Sequence, residues 1–162
     1  MRISFVLPTI ISAVLLWSCS SKQPEKEQAT SATATGEINA ALPSYSEDIQ
    51  SSVKSLDLRT GETTQVPVTL KNTGPALWAS AGKAPITLSS RWFDNQKMLA
   101  IEGERTLLPA PLPPGQSVNL QARAVAPPSA GHFFLKISLV QEGVTWFFEA
   151  GAQPLVLPVT VH

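Results

Sequence analysis

The sequence predicts an all-β domain that follows an export signal and a flexible linker. Twelve of the fourteen prolines lie from Pro43 onward, and proline is incompatible with the interior of a helix. Between these prolines apolar and polar residues alternate, which is the period of a strand with one buried face. Turn-forming residues recur about every ten positions, so we expect short strands rather than helices.

The length and composition limit the possible organisation. A chain of 162 residues with 43% hydrophobic and 15% charged residues has room for one ordinary globular domain. Its formal net charge is zero, which argues against nucleic acid as a partner. Cys19 is the only cysteine, so a disulfide or a cysteine-based metal site within the chain is excluded.

The first eighteen residues have the features of an export signal. A basic residue, Arg2, precedes an apolar run from Ile3 to Trp17, which is shorter than the about 20 residues that a membrane-spanning helix needs. The alternative is a membrane anchor helix. Residues 16–19, Leu-Trp-Ser-Cys, resemble the lipobox of bacterial lipoproteins. The resemblance implies cleavage before Cys19, lipidation of that residue, and, from Ser20, sorting to the outer membrane.

A polar linker follows the predicted lipidation site. From Ser20 to Pro43 the residues are small or polar, without a period that could bury a face. Such a chain has a mean span of about 25–30 Å, enough to hold a domain clear of lipid headgroups. We therefore predict a signal peptide at residues 1–18, a lipidated linker at 19–45 and one domain at 46–162.

The beginning of the domain is ambiguous. Four apolar residues from Tyr45 to Leu56 recur at helical spacing, and Ser44 with Glu47 matches a capping box. We predict a strand here, because Leu56 and Leu58 alternate before a glycine. Seven further segments alternate in the same way and are predicted strands: Gln65–Asn72, Pro85–Asp94, Lys97–Ile101, Ser117–Val125, His132–Gln141, Val144–Glu149 and Leu155–Val161.

About seven or eight short antiparallel strands with regular turns predict an immunoglobulin-like β-sandwich. Four segments lie in order in the region from Ser51 to Val161: VPVTLKNTG at 66–74, SRWFD at 90–94, EGERTLLP at 102–109 and LVQEGVTWF at 139–147. With these segments the region resembles the immunoglobulin-like modules that are attached to bacterial cell-surface glycan enzymes and exported proteins. The Asn-Thr-Gly followed by a tryptophan is also similar to the four-tryptophan domains of autophagy receptors. The resemblance implies a binding or spacer role and supplies no catalytic site.

Residues that could perform catalysis are few. The chain has two histidines, His132 at the start of a predicted strand and His162 at its end, and both positions are typical of solvated side chains. Paired carboxylates could act as acid and base, but we expect the candidates to lie in a loop and a turn, where Arg105 could pair with one of them. The candidates are Glu102, Glu104 and Glu142. We predict neither an enzyme, a metal site nor a cofactor.

Two tryptophans of the predicted domain, Trp78 and Trp92, precede its last hairpin. Trp92 alternates in phase with the core residues of its strand and is predicted to be buried. Trp78 follows a turn, where it could either close one end of the sandwich or stand exposed as a binding residue.

Three consecutive aromatic residues follow the Gln141–Gly143 turn. Because neighbouring side chains of a strand point to opposite faces, Trp146 and Phe148 should share one face while Phe147 lies on the other. If the shared face is exposed, Trp146 and Phe148 form a binding platform. The alternative is that the loop Leu107–Pro114 or the chain after Glu149 covers them.

These observations predict an envelope lipoprotein with a non-catalytic binding or scaffolding module. Its expected partners are the membrane, through the N-terminal lipid, and a glycan or another envelope protein. Its expected location is the outer membrane, facing the periplasm. The alternative is a structural accessory subunit of an envelope complex that acts by pairing at a sheet edge. The first function requires a contiguous exposed aromatic patch, whereas the second requires an unpaired apolar edge and buried aromatic residues.

Overall fold

The computed structural model describes residues 41–162. The predicted signal peptide, Cys19 and most of the predicted linker lie outside these residues. The described chain forms ten strands: β1 (Glu47–Gln50), β2 (Leu56–Leu58), β3 (Thr63–Asn72), β4 (Ile86–Asp94), β5 (Lys97–Glu102), β6 (Thr106–Leu107), β7 (Ser117–Val125), β8 (Gly131–Gln141), β9 (Thr145–Trp146) and β10 (Leu155–Val161).

The strands form two sheets that share one core, which confirms the predicted immunoglobulin-like sandwich. The first sheet has the order β1-β3-β7, and the second has the order β2-β10-β8-β4-β5, with β6 against β4 and β9 against β8. All pairs are antiparallel except β2 and β10. The first two short strands therefore lie in different sheets, and the helical alternative for this stretch is wrong.

The core lies between the inner faces of the sheets. In β3 and in the first half of β8 every second residue is buried, as the alternation predicts, whereas all residues from Ile137 to Gln141 are buried. Trp92, in β4 of the second sheet, is completely buried, and its ring meets Phe133 edge to face with a centroid distance of 6.3 Å. This position confirms the predicted burial of Trp92, in the place where sandwich domains of this class bury a tryptophan.

The last hairpin differs from the prediction. Its returning strand covers only Thr145 and Trp146 rather than Val144–Glu149, because the chain turns after Trp146. Successive turn hydrogen bonds join Ala150 N–H to the carbonyls of Trp146 and Phe147, at 3.2 and 3.1 Å. The turn directs Phe147 into the core, where it contacts Tyr45 and Trp78 edge to face.

In the part of the chain that the structure describes, no helix is long and apolar enough to cross a membrane.

Candidate functional site

The outer face of the second sheet carries an exposed row of apolar side chains. Pro158 in β10, Phe134 in β8, Phe93 in β4 and Met98 in β5 are direct neighbours across consecutive strands. Phe134 is 37% exposed and Met98 is 48% exposed, whereas Phe93 is buried between its neighbours. We call these four residues the apolar row. Phe134 is the one aromatic residue among positions 41–162 that falls in the exposed class.

A row of polar side chains lies beside the apolar row. Asp57 in β2, Thr160 in β10 and His132 in β8 are neighbours across three strands. The His132 Nδ1 atom lies 3.3 Å from the Thr160 hydroxyl, and the Asp57 carboxylate lies 3.0 Å from His162 Nδ1. We call Asp57, Thr160 and His132 the polar row.

The two rows border a surface concavity of about 300 Å³. Its walls include the polar row together with Phe134 and Pro158 of the apolar row. An aromatic ring and several hydrogen-bonding groups therefore face the same space, which is the arrangement of a small-molecule site with a few oriented polar groups.

Charged side chains occupy the opposite side of the apolar row. Lys136 and Arg91 are cross-strand neighbours there. The Lys136 ammonium lies 4.0 Å from the centroid of the Phe93 ring, and the Arg91 guanidinium lies 4.3 Å from that of Trp146. Both are cation–π contacts.

Arg91 and Arg105 together cover Trp146. The guanidinium of Arg105 lies 4.9 Å from the Trp146 ring centroid. Both arginines bind Glu102, at 2.6 and 3.0 Å, and Arg105 also binds Glu142 at 3.0 Å. This pairing of Arg105 with two of the candidate carboxylates confirms the predicted ion pair, so these groups stabilise the surface around Trp146.

The ion pairs change the acidity of Glu102. Partial burial raises its pKa, but the hydrogen bonds and the positive charges of Arg91 and Arg105 outweigh burial and lower the pKa below 4.5. Glu102 therefore stays ionised at neutral pH, as its position between two guanidinium groups requires.

Trp146 is not the exposed anchor that the platform hypothesis requires. It is 4% exposed, because the two arginines and Phe148 pack over it. Phe148 shares its face as predicted, at a centroid distance of 5.4 Å, and is partly exposed. The contacts that cover the indole come from Arg91 and Arg105 on neighbouring segments. The local sequence around Trp146 could not indicate that Arg91 covers it, because the two residues are 55 positions apart.

Trp78 closes one end of the sandwich. It is 1% exposed, and its backbone forms an isolated bridge with Leu112, with N···O distances of 3.0 and 2.9 Å. Its ring packs edge to face against Phe147. The hypothesis that Trp78 is an exposed binding residue is therefore wrong, and the hypothesis that it closes the sandwich is correct.

A buried carboxyl group that the sequence analysis did not identify lies in β1. The Glu47 carboxyl accepts hydrogen bonds from Leu139 N–H, at 2.8 Å, and from the Ser138 hydroxyl. Both residues lie in a gap between two pairings of β8. The pairing with β10 ends at Ile137, and the pairing with β9 begins at Val140. Glu47 thus satisfies a backbone N–H that no strand reaches.

Burial dominates the acidity of Glu47. Desolvation raises its pKa from 4.5 to about 8, against the opposing effect of the two hydrogen bonds. The group is therefore largely neutral at pH 7, where its O–H can donate to the Ser138 hydroxyl oxygen while its other oxygen accepts from Leu139 N–H.

No cluster of three or more His, Cys, Asp or Glu side chains is placed to hold a metal ion within residues 41–162. His132 and His162 are exposed, and each contacts a single residue of the polar row, as described above.

No protein-family model and no curated protein matches the chain. Solved structures that resemble it include the CARDB domain of the PF1109 protein from Pyrococcus furiosus, a structure in complex with di-metal ions. That domain is 13% identical over 72% of this chain and 90% of its own, with a TM-score of 0.40. A β-glucosidase from Listeria innocua is 15% identical over 71% of this chain but only 16% of the enzyme, with a TM-score of 0.39. At these values the likeness carries no information on ligand or activity.

Proposed function

We propose that the protein is a lipid-anchored envelope lipoprotein whose sandwich is a non-catalytic binding module for a glycan or another envelope protein. The outer face of the second sheet is its contact surface. The observation that supports this proposal is the apolar row, which exposes Phe134 and Met98 beside a concavity with polar walls. Phe134 is its one exposed aromatic ring, so the exposed patch is apolar and not the contiguous aromatic patch expected for this function. Apolar side chains that adjoin one another on a surface mark interaction sites more often than isolated ones do.

The surroundings of the apolar row suit a contact surface. The ion pairs of Arg91 and Arg105 hold the side chains on one side of the face in place. The Lys136 ammonium packs on the Phe93 ring. A partner would therefore meet side chains that are already ordered, which lowers the entropic cost of binding.

Replacing Phe134 with alanine should weaken partner capture by about 1–3 kcal/mol, because an aromatic anchor at the centre of a contact carries much of its energy. The melting temperature should change little, since the side chain is partly in water. The full-length chain would be used to retain partners from solubilised envelope fractions. Val125→Ala is the matched control, because Val125 is 42% exposed but belongs to β7 in the other sheet.

Equal capture by the Phe134→Ala variant would contradict this location of the contact surface. A specific second candidate is then pairing at the edge of β5, whose outward side has no partner strand among the described residues. This strand carries the apolar run Met98–Ile101. If Ala100→Lys abolishes capture while Phe134→Ala leaves it intact, the protein is an accessory subunit that acts by strand addition.

The anchoring part of the proposal is based on Cys19. Cys19→Ser should remove the lipid and move the protein from the membrane fraction to a soluble or uncleaved form, since a single signal segment of this length does not span the bilayer. Metabolic labelling with a fatty acid, followed by fractionation, measures both effects. Label that persists on the variant, or its absence from the parent protein, would disprove lipidation at this position.

A further inference from the structure

The apolar and polar rows lie two residues apart along the same strands. Phe134 and His132 are both on β8, and Pro158 and Thr160 are both on β10, with their side chains on the outer face. Two residues of a strand span about 7 Å. A small ligand that lies over Phe134 can therefore reach the polar row with its outer substituents.

The hydrogen-bonding groups of the polar row differ in character. The Asp57 carboxylate only accepts, the Thr160 hydroxyl donates and accepts, and the His132 ring has two nitrogen atoms that can form hydrogen bonds. Hydroxyl groups, which both donate and accept, match this mixture. A sugar ring has hydroxyls around its rim and C–H groups on its faces, and the apolar faces of such rings stack on aromatic side chains.

The charges that face the concavity favour a neutral ligand. The Asp57 carboxylate lies 3.0 Å from His162 Nδ1, and the Lys136 ammonium on the same face lies over the Phe93 ring. Among the residues that line the concavity, Asp57 is the one carboxylate, and none is a lysine or an arginine. A volume of about 300 Å³ is at the lower end for ligand pockets, which suits one ring better than an extended peptide.

We infer that this concavity is a subsite for a single neutral sugar ring of a glycan, which stacks on Phe134 and donates and accepts hydrogen bonds at Asp57, Thr160 and His132. The inference rests on the proposed function of the outer face, and it selects a glycan over an envelope protein as the ligand of that face.

The test is a titration of the full-length protein in detergent with three neutral oligosaccharides, built of glucose, galactose and N-acetylglucosamine units. NMR signals of the His132 imidazole and the Phe134 ring report on the site. We expect saturable shifts with at least one of these sugars, and about tenfold weaker binding for Phe134→Ala. Asp57→Asn should weaken binding several-fold, whereas Val156→Ala, a 43% exposed residue on the same face, should bind as the parent protein does.

Absence of saturable shifts with all three sugars overturns the sugar subsite, and so does equal binding by Phe134→Ala. The proposed function would survive that result if Phe134→Ala still reduced the capture of an envelope component that is sensitive to protease but resistant to glycan cleavage. If neither sugar binding nor capture depends on Phe134, both the subsite and the contact surface are disproved.

Discussion

Replacing Trp92 with alanine is expected to lower the free energy of unfolding by about 3–5 kcal/mol, because the completely buried indole would leave a cavity between the two sheets. Domains of this size are stable by only about 5–15 kcal/mol. The variant should therefore be partly unfolded at moderate temperature, and the loss should appear as a lower midpoint in chemical denaturation.

A more conservative substitution of Trp92 separates the effect of the lost side-chain volume from the effect of the unpaired indole N–H. The Trp92 Nε1 atom is buried without a hydrogen-bond partner among the described residues, and an unpaired buried donor costs free energy. Trp92→Phe removes that donor and keeps most of the ring, so its loss of stability should be much smaller. Met98→Ala, at an exposed position, is the control for a general effect of truncation. An unchanged midpoint in Trp92→Ala would show that the indole does not fill the core.

The stability of the domain should fall as the pH rises from about 4.5 to about 8. The pKa of Glu47 is about 8 in the folded protein and 4.5 as an ordinary carboxyl, so the folded state binds a proton more tightly than the unfolded state does. The stabilisation is therefore complete below pH 4.5 and is lost through pH 8. Between these values the expected slope is about 1.4 kcal/mol per pH unit.

Denaturation at several pH values measures this slope, and Glu47→Gln is the matched variant. Its amide carbonyl can still accept from Leu139 N–H, and the Ser138 hydroxyl can rotate to accept from the amide nitrogen. The variant should lose the dependence between pH 5 and 8 and be more stable than the parent protein at pH 8. The lowered pKa of Glu102 acts in the opposite sense and at lower pH, where stability is lost as Glu102 becomes protonated. A parent protein with constant stability from pH 5 to 8 would contradict the burial of Glu47.

The strands were predictable from sequence where one face meets the core and the other meets water. In β3, β10 and the first half of β8 this asymmetry produces alternation, and the structure shows the same buried positions. From Ile137 to Gln141 every residue of β8 is buried, which the alternation does not predict. Proline and glycine pairs marked the turns between them. The burial of Trp92 on the inner face of β4 was predictable for the same reason.

The pattern failed where distant segments cover a face. The outer side of β4 is largely buried because Arg105 and Trp146 come to lie beside it, and no local period records such cover. Glu47 was unpredictable for a related reason. A glutamate in a short strand normally indicates a solvated position, and its role depends on a gap in the pairing of a strand about 90 residues away.

The exposed aromatic residue was missed although its signal was present. Phe133 and Phe134 are consecutive in a strand, so one of them must face outward. The same argument applies to residues 146–148, where consecutive aromatic side chains also point to opposite faces. In the structure Phe133 enters the core and Phe134 faces solvent, whereas Trp146 and Phe147 are both buried.

The position of β10 constrains the order in which the domain can form. This strand follows the other nine described strands in the chain, yet it lies inside the second sheet, between β2 and β8. The residue after it, His162, hydrogen-bonds to Leu58 and Thr60 near the beginning of the domain. A growing chain that still lacks these residues has neither a partner for β2 nor one side of β8. Such contacts between distant parts of a sequence form slowly. Until β10 is in place, β2 and one side of β8 therefore stay unpaired, so we expect closure of the second sheet to be a late step in folding.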